Sequence, residues 1–426
     1  KGYSYSNTLT DTMFYSDEID PIFQSAEQIY QLEKDKYVKE KYSSLELLNM
    51  GVMLSNSSLD VNQINTYILN GGAIGELDEK HKNEFLSNFP DDGLGFNPLI
   101  NYKAGLRIKN VALQSSLDIY SEFVIPSGLF DFAFWGNEIS EPIDLHGRKN
   151  QFQAVNSVAI SYGRQINMSP PGQNEWCEDD DECIDLTVLL NNFAQRTYFG
   201  VSAKYLTGLA YFESAFNTLS ITPDSNYISV QADIITKYSL AGASMEVDPE
   251  KYFNYSFNTD EANKIPPGSG YAFDLGLIMD INDKLSSSIA ITNLLGKITW
   301  SDGTVYEHRL KMNSQISMDE LQENPDSSLY SGIELDTNIA ISSFKTKYPG
   351  ALILGTEYTL EKIKLATNLK FGFSNELGSS TTPRFSLGVE LRPFKWLSLL
   401  GGTSVGGYEG FQWGSGISMR LLFLQF

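Results

Sequence analysis

Two cysteines, Cys177 and Cys183, enclose a run of five acidic residues. Thiols at this spacing could form a disulfide in an oxidising compartment, and the carboxylates between them could hold a Ca²⁺ ion or a surface partner. The central carboxylates of the run are Asp179, Asp180 and Asp181. Because the run lacks the spaced ligands and the glycine of an EF-hand, we predict a solvated acidic loop pinned by a disulfide, with Ca²⁺ binding as the alternative.

Patterns that would indicate catalysis are weak in this chain. Gly402 to Gly406 spell GxSxG, but a nucleophile elbow needs a strand-to-helix turn, and this copy lies inside a predicted strand. The histidines His81, His146 and His308 are widely separated and share no metal-ligand spacing. We therefore predict that the chain is not an enzyme and that it carries no catalytic metal.

Ionisable residues recur on one side of runs in which every second residue is apolar. Successive side chains of a strand point to opposite faces, so such a run can meet hydrocarbon on one face and water on the other. The side chains that this alternation places on the inner face of a barrel are Lys103, Arg107, Asp118, Glu122, Asp274, Asp280, Lys364, Lys370 and Glu390. A soluble two-layer sandwich would show the same period, with the apolar face against a second sheet.

The first regular hairpin turns near residues 109–110. Lys103 and Arg107 precede the turn, and Asp118 and Glu122 follow it. We expect these opposite charges to face one another across the two strands and to neutralise one another.

Turn lengths favour the barrel over the sandwich. Tight periplasmic turns and long outer loops alternate in transmembrane barrels. Short turns are predicted at 282–284, 360–362 and 393–395, and long polar connections at 165–195, 241–267 and 314–346. The sequence thus predicts an all-β membrane protein, a closed antiparallel transmembrane β-barrel of about 14 strands (about 12 to 16).

Aromatic residues fall near the predicted strand ends, where such rings prefer the membrane interface. The predicted girdle consists of Trp300, Tyr358, Phe394, Trp396, Tyr408, Phe411 and Trp413. Phe426 follows alternate apolar residues and resembles the insertion signal that the outer-membrane assembly machinery reads.

The chain divides into a polar segment, 1–44, and a barrel, 45–426. The first contains a helical pattern and could plug the barrel, cap one mouth or extend freely. Within the barrel, helical insertions are predicted near 59–89 and 126–137. These carry too many polar residues to face lipid, so we expect them in the lumen or outside the bilayer.

Composition sets limits on class and partners. The 426 residues include 34 Gly, 23 Tyr and 25 Phe, as barrels with half-polar strands do. No stretch of about 18 apolar residues exists, which excludes a helical span. A formal net charge of -22 argues against nucleic acid as a partner. No leader precedes Lys1, so we expect that a signal peptide has been removed and that outer-membrane lipid or detergent accompanies the purified chain.

Several short segments resemble a group of outer-membrane barrels related to the fatty-acid transporter FadL and to PorV, the barrel of type IX secretion. They are Pro90–Leu94, Ser157–Gly163, Lys204–Gly208 and Phe273–Leu277. The similarity is patchy from about residue 45 to the end, and the asparagine-proline-alanine pattern common near the start of FadL-like barrels is absent. The resemblance implies a barrel with internal helices in the outer membrane of a Gram-negative bacterium, and no substrate.

Two functions follow as hypotheses. The charged inner face and the helical insertions indicate passage or binding of a small, mainly apolar solute through a plugged barrel. The long acidic loops and the PorV resemblance indicate instead a scaffold that holds a partner in a surface or type IX secretion-related assembly.

Overall fold

The structure is a computed structural model of the chain, and it describes residues 43–56, 78–87, 93–136, 139–145, 147, 149–166, 194, 196–240, 244–247, 255–258, 267–301, 305–317, 319, 332–394, 397–407, 410–421 and 424–425. Most of segment 1–44 and the helix expected near 59–69 lie outside these ranges.

Nearly all described elements are strands. The first ten are β1 (Ser43–Asn56), β2 (Leu94–Ile108), β3 (Val111–Ile125), β4 (Ile143–Asp144), β5 (Asn150–Ile166), β6 (Arg196–Pro223), β7 (Tyr227–Leu240), β8 (Ser244–Val247), β9 (Tyr255–Asn258) and β10 (Gly268–Asp280). The others are β11 (Leu285–Trp300), β12 (Val305–Ser317), β13 (Ile333–Ala340), β14 (Phe344–Lys347), β15 (Ala351–Thr359), β16 (Ile363–Gly372), β17 (Arg384–Phe394), β18 (Leu397–Gly406), β19 (Phe411–Leu421) and β20 (Leu424–Gln425). The helices are α1 (Glu79–Leu86) and α2 (Ser127–Trp135).

The strands build one antiparallel wall. Within the described residues its order is β1, β2, β3, β5, β6, β10, β11, β15, β16, β17, β18 and β19. The wall curls round on itself, because Tyr348, next to β15, hydrogen-bonds Asp118 on the distant β3. The fold is therefore the predicted all-β antiparallel barrel wall, and the strands of the wall within the described residues fall in the predicted range of strand number.

Short turns gather at one end of the wall, which we call the turn end. Residues 109–110 join β2 to β3, 281–284 join β10 to β11, and 360–362 join β15 to β16. In the second of these, Asn282 Oδ1 accepts hydrogen bonds from the backbone N–H groups of Lys284 and Leu285, both at 2.9 Å. This local bond favours the tight reversal that the sequence predicted.

One long connection was assigned to the wrong end. The connection predicted at 165–195 was expected to lie with the other long loops. The register pairs Ile166 with Thr197, and Arg196 with Asp280 beside the 281–284 turn. The connection that carries the acidic run thus starts and finishes at the turn end. The reason is parity: residues 126–149 already form a long connection at the other end, the loop end, so β5 runs back to the turn end. The prediction did not count 126–149 as a long connection.

Both described helices lie in connections at the loop end and pack together. The rings of Phe85 and Phe134 meet edge to face at 5.6 Å. Lys82 Nζ donates to the backbone oxygen of Phe134 at 2.7 Å. Asp78 caps α1 by accepting from the backbone N–H of His81, and this bond lowers the pKa of the Asp78 carboxyl. The two helices fall within the insertions predicted near 59–89 and 126–137.

The same sheet continues beyond the loop end of the wall. The second half of β6 pairs with β7, β7 with β12, and β12 with β13. We call these four strands the projecting sheet. The sequence predicted part of this region, 314–346, as a loop. At its β6–β7 turn, Asp224 accepts hydrogen bonds from Ser225 and Ser140, which lower the pKa of its carboxyl.

Candidate functional site

The wall exposes apolar side chains and buries polar ones, the reverse of a soluble core. On β17, Leu387 is 41% exposed and Glu390 is 1% exposed. The alternation continues on β16, where Lys364 is buried between exposed Ile363 and Leu365. A continuous apolar outer face of this kind is stable against hydrocarbon and not against water. The sandwich alternative is wrong, since the apolar residues do not face a second sheet. No helix within the described ranges is long and apolar enough to cross a membrane.

The interior is the candidate site. All nine residues predicted for the inner face are buried: Lys103, Arg107, Asp118, Glu122, Asp274, Asp280, Lys364, Lys370 and Glu390. Their part in handling a solute stays a prediction.

Asp118 is the centre of a buried network. Its Oδ1 accepts from Asn101 Nδ2, which lies directly opposite in the register. Its Oδ2 accepts from Ser116 Oγ at 2.8 Å and from Tyr348 OH at 2.5 Å. The expected direct pairing across the hairpin is wrong in register, because Asp118 faces Asn101, and Lys103 faces Ser116.

A second network surrounds Lys204, which the sequence analysis did not select. Lys204 Nζ lies 2.8 Å from Asp274 Oδ2 and donates to Asn293 Oδ1 at 2.7 Å. The backbone N–H of Asn293 donates to Asp274 Oδ1 at 2.7 Å. Asn293 adopts φ +50° where β11 leaves its regular register with β10. This bulge turns the backbone donor inward, so the Asp274 carboxylate is satisfied from two sides.

Toward the turn end, several other charged side chains of the inner face have partners close by. Arg196 lies 3.2 Å from Asp280, and Lys364 lies 2.6 Å from Glu357. Arg392 donates to both oxygens of Glu390, at 2.7 and 2.8 Å. Arg107 Nε donates to the backbone oxygen of Lys109 at 2.8 Å. Each of these contacts offsets part of the cost of burying a charge.

Above the charged zone, toward the loop end, a group of apolar side chains packs in the interior. We call this group the inner apolar cluster: Tyr120, Val155, Leu206, Tyr211, Ala272, Ile298, Trp300, Val305, Tyr348 and Leu377. Trp300 is fully buried, and its Nε1 donates to Thr346 Oγ1 at 2.9 Å. Its assignment to the outer girdle is therefore wrong. Tyr358, Phe394 and Phe411 are exposed, as the girdle prediction requires.

One connection folds into the interior. Residues 373–383, between β16 and β17, form what we call the inserted segment. The Leu377 N–H donates to Glu122 Oε2 at 3.0 Å, and the Leu377 side chain joins the inner apolar cluster. Lys149 Nζ contacts Glu376 Oε1 at 3.4 Å and Glu213 Oε2 at 2.9 Å. The sequence analysis missed this segment because its polar residues look like an ordinary surface loop.

The GxSxG residues and two of the histidines lie within the described residues and show no catalytic arrangement there. The GxSxG residues lie in β18, a strand and not an elbow, and Ser404 is buried. His81 contacts Asp78, and His308 contacts Asp336. Over the described ranges, no three His, Cys, Asp or Glu side chains could share a metal ion. Cys177, Cys183, the acidic run between them, and Phe426 lie outside those ranges, so their predicted roles stay predictions.

Comparisons with known proteins give a family and a set of structural relatives. The model of a family of unknown function, DUF5723, matches residues 37–426. No curated protein sequence matches the chain.

The structural relatives are outer-membrane proteins. The toluene transporter TodX of P. putida aligns with 11% identity and a TM-score of 0.41, over 90% of this chain and 81% of TodX. A FadL homologue of Pseudomonas aeruginosa aligns with 10% identity and a TM-score of 0.35, over 90% of this chain and 78% of the homologue. The translocator domain of the autotransporter NalP from Neisseria meningitidis aligns with 8% identity and a TM-score of 0.30, over 93% of this chain and 97% of that domain.

Proposed function

The chain belongs to the DUF5723 family, whose function is unknown, and we propose that it is an outer-membrane barrel that binds and passes a small, mainly apolar solute. The observation that carries this proposal is the inner apolar cluster. A barrel needs polar residues inside, where water or paired charges satisfy them. Trp300, Tyr211 and Leu377 instead form an apolar surface within that polar wall.

The inner apolar cluster suits binding of the solute, and the paired charges near the turn end suit its further movement. A mainly apolar solute gains free energy by leaving water for the inner apolar cluster near the loop end. Further movement toward the turn end takes it past charges that are already paired, such as Lys204 with Asp274 and Arg196 with Asp280. Because those charges satisfy one another, the wall does not hold the solute by strong polar bonds.

Passage requires the inserted segment to move. Leu377 occupies the apolar cluster, and its position depends on the Glu122 hydrogen bond and on the contact of Lys149 with Glu376. The Lys149 and Glu376 side chains are 35% and 33% exposed, so their contact is weak and reversible. The inserted segment therefore acts as a displaceable closure.

Solute binding is tested by fluorescence quenching with bromododecanol. The chain has 5 Trp, and Trp300 lies in the proposed site. We expect bromododecanol to quench the purified protein, unbrominated dodecanol to relieve the quenching, and Trp300→Phe to remove the part that dodecanol relieves. Quenching that dodecanol relieves equally in wild type and Trp300→Phe would place binding outside the cluster.

Closure is tested by ion conductance in planar bilayers. Leu377→Gly removes the side chain that fills the interior, so we expect a several-fold higher single-barrel conductance than in wild type. Leu360→Gly, at an exposed turn-end position, is the matched control and should conduct as wild type does. Equal conductance in all three proteins would contradict a closure by the inserted segment.

A scaffold role is the second candidate, and the projecting sheet favours it. Its strand β13 exposes Leu335 and Ile339, at 39% and 47%. Such apolar positions outside the barrel wall suit a partner in a surface or secretion-related assembly. Capture of a partner from gently solubilised membranes that Leu335→Asp and Ile339→Asp abolish, with solute quenching unchanged, would favour this role.

A further inference from the structure

The outer wall contains a notch that faces away from the barrel interior. It has a volume of about 410 Å³ and lies where β5, β6 and β10 run side by side, near the start of β3. This volume falls within the range of clefts that bind small ligands. We call it the outer-wall notch.

The register explains why the wall is hollow here. One row across the three strands is Tyr162, Val201 and Leu275, and the next is Ile160, Ala203 and Phe273. In both rows the middle strand, β6, supplies the smallest side chain. Two small residues at alternate positions on one face leave a groove along β6. The larger side chains of β5 and β10 lie on either side of it.

Aromatic side chains lie beyond both ends of the groove. On the loop-end side, the rings of Tyr205 and Tyr271 meet edge to face at 5.5 Å across β6 and β10. On the turn-end side, Phe199 is exposed on the same face of β6. The residues of β6 that line the notch, Val201 to Ala203, lie between Phe199 and Tyr205. The notch is therefore a short slot along β6.

The chemistry of the slot suits an apolar occupant. The polar groups behind it are already bonded: Ser161 Oγ donates to Ser202 Oγ at 3.1 Å, and Asp274 is paired with Lys204. They offer little to a polar ligand. The exposed side chains that flank the notch, such as Ile160 and Phe273, are apolar.

The height of the slot on the wall indicates where its occupant comes from. Nine residues separate Asp280, at the turn end, from Tyr271, which is about 30 Å along the strand. At the usual strand tilt of about 35 to 45°, this distance matches an apolar band of about 25 Å with aromatic residues at its edge. The slot thus lies within the band that faces acyl chains.

We propose that the outer-wall notch binds one acyl chain of a membrane phospholipid in a defined position. The proposal depends on the membrane orientation of the wall and is independent of solute passage. It predicts a lipid that stays with the protein when the bulk bilayer is removed, because apolar side chains such as Ile160, Tyr162 and Phe273 line the notch.

The test is native mass spectrometry after reconstitution. Wild type and Ala203→Phe are placed in vesicles of phosphatidylethanolamine and phosphatidylglycerol that also contain oleate, and are then re-extracted in a mild maltoside detergent. Val389→Phe, which adds the same side chain to an exposed position on β17, is the matched control. We expect one phospholipid on wild type and on the control, and several-fold lower retention on Ala203→Phe.

Other results overturn the proposal. Equal phospholipid retention in Ala203→Phe and wild type would show that the notch is not the site. Retention of oleate alone would identify a free fatty acid as the occupant. A dimer lost on Ala203→Phe would identify a second copy of the chain instead. Circular dichroism checks the fold, and Ala203→Leu, a smaller filling, serves if Ala203→Phe does not fold. Bromododecanol quenching stays at the wild-type level in both variants, which separates this site from the interior.

Discussion

Tyr348 donates its phenolic hydrogen to Asp118 Oδ2 at 2.5 Å, although 230 positions separate the two residues along the chain. The bond joins the wall strand β3 to the short connection between β14 and β15. It also joins the two interior zones, because Tyr348 belongs to the inner apolar cluster and Asp118 to the polar wall.

Tyr348→Phe is expected to lower stability more than the loss of one average hydrogen bond. The substitution leaves the buried Asp118 carboxylate short of a donor, and a buried group with a missing partner costs about 1 to 3 kcal/mol. Urea unfolding in detergent measures the difference. Tyr358→Phe, at an exposed position on the outer face, is the control and should unfold as wild type does. Equal midpoints for both variants would show that the bond contributes nothing.

Removing one member of the Lys204–Asp274 pair is expected to destabilise the wall strongly. Asp274→Asn or Lys204→Met leaves a buried charge uncompensated, which typically costs about 3 to 5 kcal/mol. The double variant Lys204→Met with Asp274→Asn removes both charges and should recover most of the loss. Unfolding midpoints of the four proteins give the coupling between the sites, with Lys284→Met at an exposed turn as control. Additive losses in the double variant would contradict the pairing.

Gly208→Ala is expected to disturb Trp300. A Cβ atom built on Gly208 lies 2.6 Å from Trp300 Cη2 and 2.9 Å from the backbone Cα of Gly268. The indole must therefore shift, and near-ultraviolet circular dichroism and tryptophan emission should change. Gly401→Ala is a matched control, because no atom lies within 4 Å of the added Cβ. An unchanged spectrum for Gly208→Ala would contradict the packing of Trp300 inside the wall.

A charged substitution on the outer face tests whether that face contacts lipid. Leu387→Arg places a guanidinium among exposed apolar residues of β17, and such a change costs about 2 to 4 kcal/mol near the bilayer midplane. We expect a lower unfolding midpoint in lipid vesicles. Leu335→Arg, on the projecting sheet, should leave the midpoint unchanged. A Leu387→Arg variant as stable as wild type in vesicles would mean that β17 does not face lipid.

The parts of the fold that depend on local alternation were predictable. Ile363 to Leu369 and Phe385 to Leu391 alternate so regularly that both strands and both faces follow from the sequence. The nine inner-face charges were found for the same reason, since the parity of a strand fixes its faces.

The parts that depend on contacts between distant segments were not predictable. The charges of β12 obscure its period, and it is a strand because β7 and β13 pair with it. Trp300 sits near a strand end in sequence, but its ring packs inward against Tyr211 and Phe344. Gly208, opposite Trp300, is the one local signal that could have indicated the close packing. The inserted segment is recognisable only through its contacts with Glu122 and Lys149.

The unbroken length of β6 has a mechanical consequence. Its backbone runs from Arg196 at the turn end to Pro223 at the far tip of the projecting sheet as a single strand of 28 residues. A one-residue bulge at Leu209 lies between the part beside Gly208 and the part that pairs with β7, and the strand continues through it. A force applied near Asp224 is therefore transmitted along β6 to the part of the wall where Gly208 lies against Trp300.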